Sequence, residues 1–257
     1  PISAVEAAKA QLHIGYGHTS HGNQLIVGMN GLVGFMNSKG GYTDNLFAWN
    51  HDGSDGALHL FEGDQYGSGD LDHDAGYDTA WVAETRAYLG VPDLLGRGSN
   101  HPGMNVIIWS WCGQLSGYST EAVSGYYLDR MHQLELDYSG VKFVYMTGHS
   151  DGSGLDGTLH INNQQIRQYC IENNKILYDF YDIECYNPDG NYFGDKHVND
   201  ACDYDGGGNW ATEWQNAHTE GQDWYDCSPD HTQPLNGNLK AYAAWWLWAR
   251  LAGGDGQ

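Results

Sequence analysis

Ser20 stands between His18 and His21 in the stretch LHIGYGHTSHGNQL, residues 12–25. Three chemistries fit those residue types at that spacing. A serine at a strand-to-helix turn has its backbone N–H at a helix N-terminus, where a developing oxyanion is favoured. Ser20 then reads as a nucleophile. Alternatively, His18 and His21 hold a Zn2+ ion together with His149, since catalytic zinc takes three protein ligands and keeps one position open. In the third reading Thr19 or Ser20 caps a helix and does nothing more. A serine nucleophile needs a base, and His231, in DCSPDHTQPLNGNLKAYAAWWLWARL, is placed just before the last apolar segment of the chain. From there a loop histidine can reach the end of the first strand. Gln114, in WSWCGQ, offers a side-chain donor for the oxyanion.

Elements must bring these groups together. AVEAAKAQ reads as a short helix and LHIGYG as the first strand. Leu25, Ile26, Met29, Leu32, Val33 and Met36 recur at the helical period. DTAWVAETRAYLG reads as a helix with Asp78 as N-cap and Gly90 just past its end. NVIIWSWCG is a continuous apolar run of the kind found in central parallel strands. STEAVSGYYLDRMHQLELDYSG follows as a helix, VKFVYMTGH as a strand, NNQQIRQYCIENN as a helix and KILYDFYDIE as a strand. NGNLKAYAAWWLWARLAGG closes the chain as an apolar helix. Strands alternating with helices predict a three-layer α/β/α fold around a mostly parallel sheet. One domain is expected over 1–257, with loop-rich insertions at about 42–77 and 186–230. Sites in such sheets form at the carboxyl ends of the strands. That rule gathers Ser20, Gln114, His149, Asp151, Asp179, Asp182 and Glu184 on one rim. His18, His21, Trp111, His149 and Asp151 are the expected substrate-binding residues.

Composition removes several function classes. The chain has 257 residues, with 33 acidic against 11 basic, a net charge of −22. Such a surface repels nucleic acid and anionic membranes. No apolar run reaches the roughly 18 residues that span a bilayer. Ten Trp and 18 Tyr either fill the core or line a cleft for sugar rings. The chain starts at Pro1 without a visible signal peptide, consistent with a leader that has been removed. Five cysteines leave at least one unpaired within the chain. A Cys202–Cys227 bridge is expected to staple the Gly- and Asp-rich excursion between them, leaving Cys112, Cys170 and Cys185 as thiols. The expected compartment is secreted or periplasmic. Asp203 and Asp205 lie in an oxygen-rich loop that suits a structural Ca2+. No cofactor is expected to be needed for catalysis.

The order of a serine after the first strand, CGQ after a central strand and a histidine before the C-terminal helix resembles the SGNH (GDSL-like) hydrolases. GHTS, residues 17–20, stands where that family has Gly-Asp-Ser. CGQ, with Gln114, stands where it has Gly-x-Asn. SPDH, residues 228–231, stands where it has Asp-x-x-His, with Ser228 in place of the Asp. Asp226 or Asp230, or a backbone carbonyl, then orients His231. Gly69 or Gly76 stands for the glycine of the second block. The resemblance implies a flavodoxin-like α/β/α domain with Ser20, His231 and Asp230 catalytic. It places the Ser20 N–H, Gln114 and Gly69 in the oxyanion hole. The implied reaction is hydrolysis of an ester, such as an acylated extracellular carbohydrate, through an acyl-enzyme. A glycan-binding protein on the same scaffold and a zinc deacetylase using His18, His21 and His149 are the alternatives.

Overall fold

The computed structural model describes residues 1–42, 45–63, 70–76 and 79–254. The chain runs α1 (Ile2–Gln11), β1 (His13–Gly17), α2 (Ser20–Ser38), β2 (Trp49–Asn50), β3 (Leu58–Glu62), α3 (Ala80–Leu89) and β4 (Val106–Trp109). It continues through α4 (Thr120–Val123), a π turn, α5 (Asp129–Asp137), β5 (Lys142–Met146), α6 (Thr158–Glu172), β6 (Ile176–Tyr178) and α7 (Phe180–Glu184). A two-stranded ribbon of β7 (Asp203–Tyr204) and β8 (Gly208–Asn209) precedes α8 (Trp210–Ala217) and the closing α9 (Pro234–Leu251).

The main sheet has the order β2-β3-β1-β4-β5-β6, and every pair in it is parallel. Its central strands β1, β4 and β5 are buried on both faces, as a sheet covered on each side by helices requires. All four residues of β4 are buried, as are the last four of β1 and of β5. The fold is therefore the expected three-layer α/β/α sandwich. With the two-residue edge strand β2 set aside, the order becomes that of a flavodoxin-like doubly wound sheet. Connections leave β1 toward one edge and β4 toward the other, so the crevice between their carboxyl ends is the switch point.

α2 and α9 pack closely together. Their approach depends on Gly28: a Cβ there would stand 2.0 Å from the Gly237 carbonyl oxygen. Tyr225 seals the contact by donating its hydroxyl to the Gly28 carbonyl at 2.8 Å. This contact carries the segment just before α9, including His231, to the start of α2.

Beneath that junction lies a fully buried ion pair. Lys240 Nζ, from α9, donates to Glu184 Oε1 at 2.7 Å and also to Gln24 Oε1 of α2. Glu184 Oε2 accepts from the Ser150 N–H at 2.5 Å and from its hydroxyl at 2.8 Å. Gln24 Nε2 donates to the Asp230 carbonyl at 2.6 Å. Burial drives the Lys240 ammonium below its ordinary pKa, and Glu184 opposes that shift.

Four expectations change. The 42–77 insertion is not all surface loop, because it contributes β2 and β3 to the sheet. Only pairing with β1, His13 opposite His59 and Tyr16 opposite Glu62, turns LHLFE into a strand. KILYDFYDIE is strand only to Tyr178. Asp179 then accepts from the Asp182 N–H and starts α7. The 186–230 insertion carries the β7–β8 ribbon and α8. All five cysteines are free thiols: Cys202 lies against the Thr232 hydroxyl at 3.4 Å, and Cys227 against the Pro234 carbonyl at 3.5 Å. Asp78, expected as an N-cap, and Gly69, expected in the oxyanion hole, lie outside the described residues.

Lys240→Met should destabilise the fold by about 3–5 kcal/mol in urea unfolding, because it strands Glu184 in the core without a partner. Adding Glu184→Gln should recover part of that loss. A single-variant cost under about 1 kcal/mol would count against a structural role for the pair.

Candidate active site

Strand β1 delivers Thr19, Ser20 and His21 to the switch point, and β4 delivers Cys112. Cys112 Sγ stands 3.1 Å from His21 Nδ1, and His21 Nε2 stands 3.1 Å from Asp200 Oδ2. Ser20 Oγ is 3.7 Å from the same sulfur. A thiol, an imidazole and a carboxylate thus lie in line at the N-terminus of α2. The amides of Ser20, His21 and Gly22 there have no intrahelical acceptor. Among the described residues no other group accepts from them. A thiolate beside an imidazolium and a helix N-terminus is held well below the ordinary thiol range.

The electrostatics agree with the geometry. The hydrogen bond from His21 lowers the Cys112 pKa, against the opposing effect of burial. For His21 burial acts downward, but the hydrogen bonds to Asp200 and Cys112 outweigh it and raise the pKa to about 9. Asp200 is disfavoured as an anion by burial, yet its bond to His21 keeps its pKa below the usual value. Both shifts favour a Cys112 thiolate facing a His21 imidazolium. The other four thiols are pushed upward, chiefly by burial: Cys170, Cys202 and Cys227 to about 12, and Cys185 further.

His21 is the middle ring of a stack. His149 lies on one contact at 3.8 Å between ring centroids and His231 on another at 4.4 Å, with interplanar angles of 6° and 14°. Burial first, and then the charge on His21, lower the His149 pKa. Its Nδ1 contacts the Ser150 carbonyl oxygen at 2.8 Å. His231 has a left-handed backbone, φ 66°, a conformation that non-glycine residues adopt mainly where the surroundings hold them in it.

A latch fixes the thiol loop. The Cys112 N–H donates to Gln114 Oε1 at 2.9 Å, and Gln114 Nε2 donates to Asp74 Oδ2 at 2.9 Å. Asp74 Oδ1 accepts from the Thr19 N–H at 3.1 Å and the Thr19 hydroxyl at 2.6 Å. One largely buried carboxylate thus ties the β1–α2 turn to the loop after β4.

Several sequence-based roles change with this geometry. Among the described residues no hydrogen bond joins Ser20 to His231, or His231 to Asp230, although His231 does reach the site. Gln114 accepts from Cys112 and gives one of its two Nε2 hydrogens to Asp74, so the latch fixes its amide. Thr19 occupies the N-cap position of α2 without a capping hydrogen bond, so capping does not explain the motif. His18 is buried, with Nε2 3.2 Å from Glu62 Oε1. Among the described residues no converging ligand group unites it with His21 and His149. Trp111 is a core residue, 2 % exposed, donating to the Met146 carbonyl at 2.9 Å. Asp151 is exposed and accepts from the Ser153 N–H and hydroxyl. Asp203 pairs with Asn209 and Asp205 with His197; among the described residues neither joins a converging ligand group. Cys112, Asp200 and Asp74 were not anticipated as site residues. The one available signal was a cysteine directly after a buried strand, at the rim where sites form.

Iodoacetamide should label Cys112 alone among the five thiols at pH 7. His21→Ala or Asp200→Asn should move its labelling profile up toward the ordinary thiol pKa of about 8.5. Labelling of Cys112 no faster than that of an ordinary thiol would rule out the ion pair. Stability carries a matching signature. His21 keeps its proton to about pH 9 in the fold, against an ordinary value of 6.5. Its contribution is complete below about pH 6.5 and is lost as pH rises through about 9. Asp200→Asn should flatten that decline in melting temperature.

No family model matches the chain, no curated protein matches it, and no solved structure matches it.

Proposed function

We propose that the protein is an acyl-transfer hydrolase whose nucleophile is Cys112, with His21 as general base and acid and Asp200 as the group that orients His21. The observation that carries this reading is the line Cys112 Sγ–His21 Nδ1–His21 Nε2–Asp200 Oδ2, with both contacts at 3.1 Å. The Cys112 thiolate attacks the carbonyl carbon of an ester, and the carbonyl π pair moves onto oxygen. First-turn amides of α2 stabilise that oxyanion. His21 Nδ1–H passes its proton to the departing alkoxide as the tetrahedral intermediate collapses to a thioester. His21, now neutral, takes a proton from water, the hydroxide attacks the thioester, and a carboxylic acid leaves. The thiolate–imidazolium pair is restored.

The ester class is inferred from the SGNH-like layout, with an acylated carbohydrate as the substrate class. The acidic chain favours neutral or cationic acyl carriers over anionic ones. Ser20 sits beside the sulfur and supports it through a weak hydrogen bond, while Asp74 acts only by positioning the thiol loop.

Hydrolysis of p-nitrophenyl acetate separates the two nucleophiles. Cys112→Ala should lower kcat/KM by about 1,000-fold or more, with Ser20→Ala staying within about tenfold of the wild type. The reverse pattern would assign the nucleophile to Ser20. Loss in neither variant, with the fold intact, would end the hydrolase reading at this rim.

A further inference from the structure

His231 is unused by the thiol relay, yet the fold spends several interactions on placing it. The carbonyl of the preceding residue, Asp230, is held by Gln24, and the Thr232 hydroxyl accepts from Asn236 Nδ2 at 2.8 Å. Between these anchors His231 adopts its left-handed backbone. Its ring is exposed and stacks on His21, and neither ring nitrogen has a hydrogen bond among the described residues. Asp200 Oδ2 points to His21 Nε2, and its Oδ1 accepts from the Ala201 N–H at 2.9 Å. One ligand atom each from His21, Asp200 and His231 lies within 4.8 Å of the others. Two imidazoles and one carboxylate, with the fourth side open to solvent, are a donor set suited to Zn2+.

We propose that His21, Asp200 and His231 form a Zn2+ site, and that Zn2+ bound there arrests the thiol relay. The second half rests on the Cys112 reading above; the first does not. Bonds of about 2.0–2.2 Å bring tetrahedral ligand atoms to roughly 3.2–3.6 Å from one another. His21 and Asp200 already stand at 3.1 Å. His231 must turn its exposed ring inward, and no hydrogen bond among the described residues opposes that rotation.

The chemistry of arrest follows from the two edges of the His21 ring. Zn2+ takes the Nε2 lone pair and displaces one proton to solvent. Nδ1 on the opposite edge, facing Cys112, keeps its hydrogen. A metal-bound imidazole of that kind can donate to the thiolate, but it has no lone pair with which to accept a proton from water. It also surrenders Asp200, which otherwise stabilises the imidazolium. Metal and nucleophile thus compete for the protonation states of one ring without sharing a coordination sphere.

The test uses the whole protein in a His73→Ala background, because Asp72, His73 and Glu84 form a second converging group. Calorimetric titration with ZnCl2 should show one ion bound per chain. His231→Ala should weaken it by about 100-fold, the scale on which supporting groups around a metal already act. Cys112→Ser should leave the affinity within about threefold, since the thiol is not a ligand. Within each variant, p-nitrophenyl acetate turnover with saturating Zn2+ is compared with turnover in chelator. The ratio should fall at least tenfold in the His73→Ala parent and stay near one in His231→Ala at the same ion concentration. No binding, or undiminished binding in His231→Ala, overturns the site. Binding lost in Cys112→Ser puts the ion on the thiol edge and overturns the ligand set. Turnover that needs Zn2+ overturns the arrest. If Cys112 is not the nucleophile, the calorimetry still decides the metal site by itself.

Discussion

The buried pair of Lys240 and Glu184 is the constraint on which the site depends. Both side chains are fully excluded from solvent, where neither charge is tolerable alone. Each must therefore be saturated with partners, and those partners lie directly beneath the reactive rim. Glu184 holds Ser150, next to His149. Gln24, which takes the second hydrogen bond of the ammonium, holds the carbonyl next to His231. The Glu184 carbonyl also accepts from Trp210 Nε1 at 3.1 Å, anchoring the excursion that supplies Asp200. A hydrophobic replacement of the same volume would fill the space but could not hold three loops in register. The geometry above the pair is the gain that offsets its desolvation.

A second constraint works at the surface of the same junction. The missing side chain of Gly28 lets α2 and α9 come close enough for a loop before α9 to touch the first turn of α2. Gly22 does the same for the helix start, where a Cβ would meet Ser110 Oγ at 2.4 Å and Tyr16 OH at 2.7 Å. The first-turn amides of α2 are thereby brought to the end of β4, and the thiol after β4 falls into their field. Charge is then rationed within the histidine stack. His21 is raised by its carboxylate and thiol partners, and His149 is lowered by burial and by His21 itself. Of these two rings, His21 is the one whose surroundings favour the proton.

The fold and the location of the site were legible from short patterns. VIIW and FVYM are short continuous apolar runs, as strands covered on both faces have them. Ser20 and His149 follow strands closely and the rim rule brings them to one edge, whereas Glu184, at the end of α7, lies buried beneath it. The strand LHLFE was not legible, since five residues amid Gly and Asp have no period of their own. The thiol is not legible for a chemical reason. A single cysteine after an apolar run looks like core filler until an imidazole is known to stand within hydrogen-bond reach. Asp74 and Asp200 are not legible because acids in Gly-rich stretches are usually solvated.

By itself, then, the sequence determined most of the alternation of elements, the parallel sheet and the rim, because continuous apolar runs and the 3.6-residue helical period are local along the chain. It also determined which chemical groups are available at that rim. Tertiary structure alone decided which of them meet. His21 reaches Cys112 across 91 positions and Asp200 across 179; the first meeting is set by β1 and β4 lying side by side, the second by the anchoring of the Asp200 excursion on Glu184 through Trp210. A side chain's partner at that separation is fixed by packing in three dimensions, and no spacing along the chain encodes it.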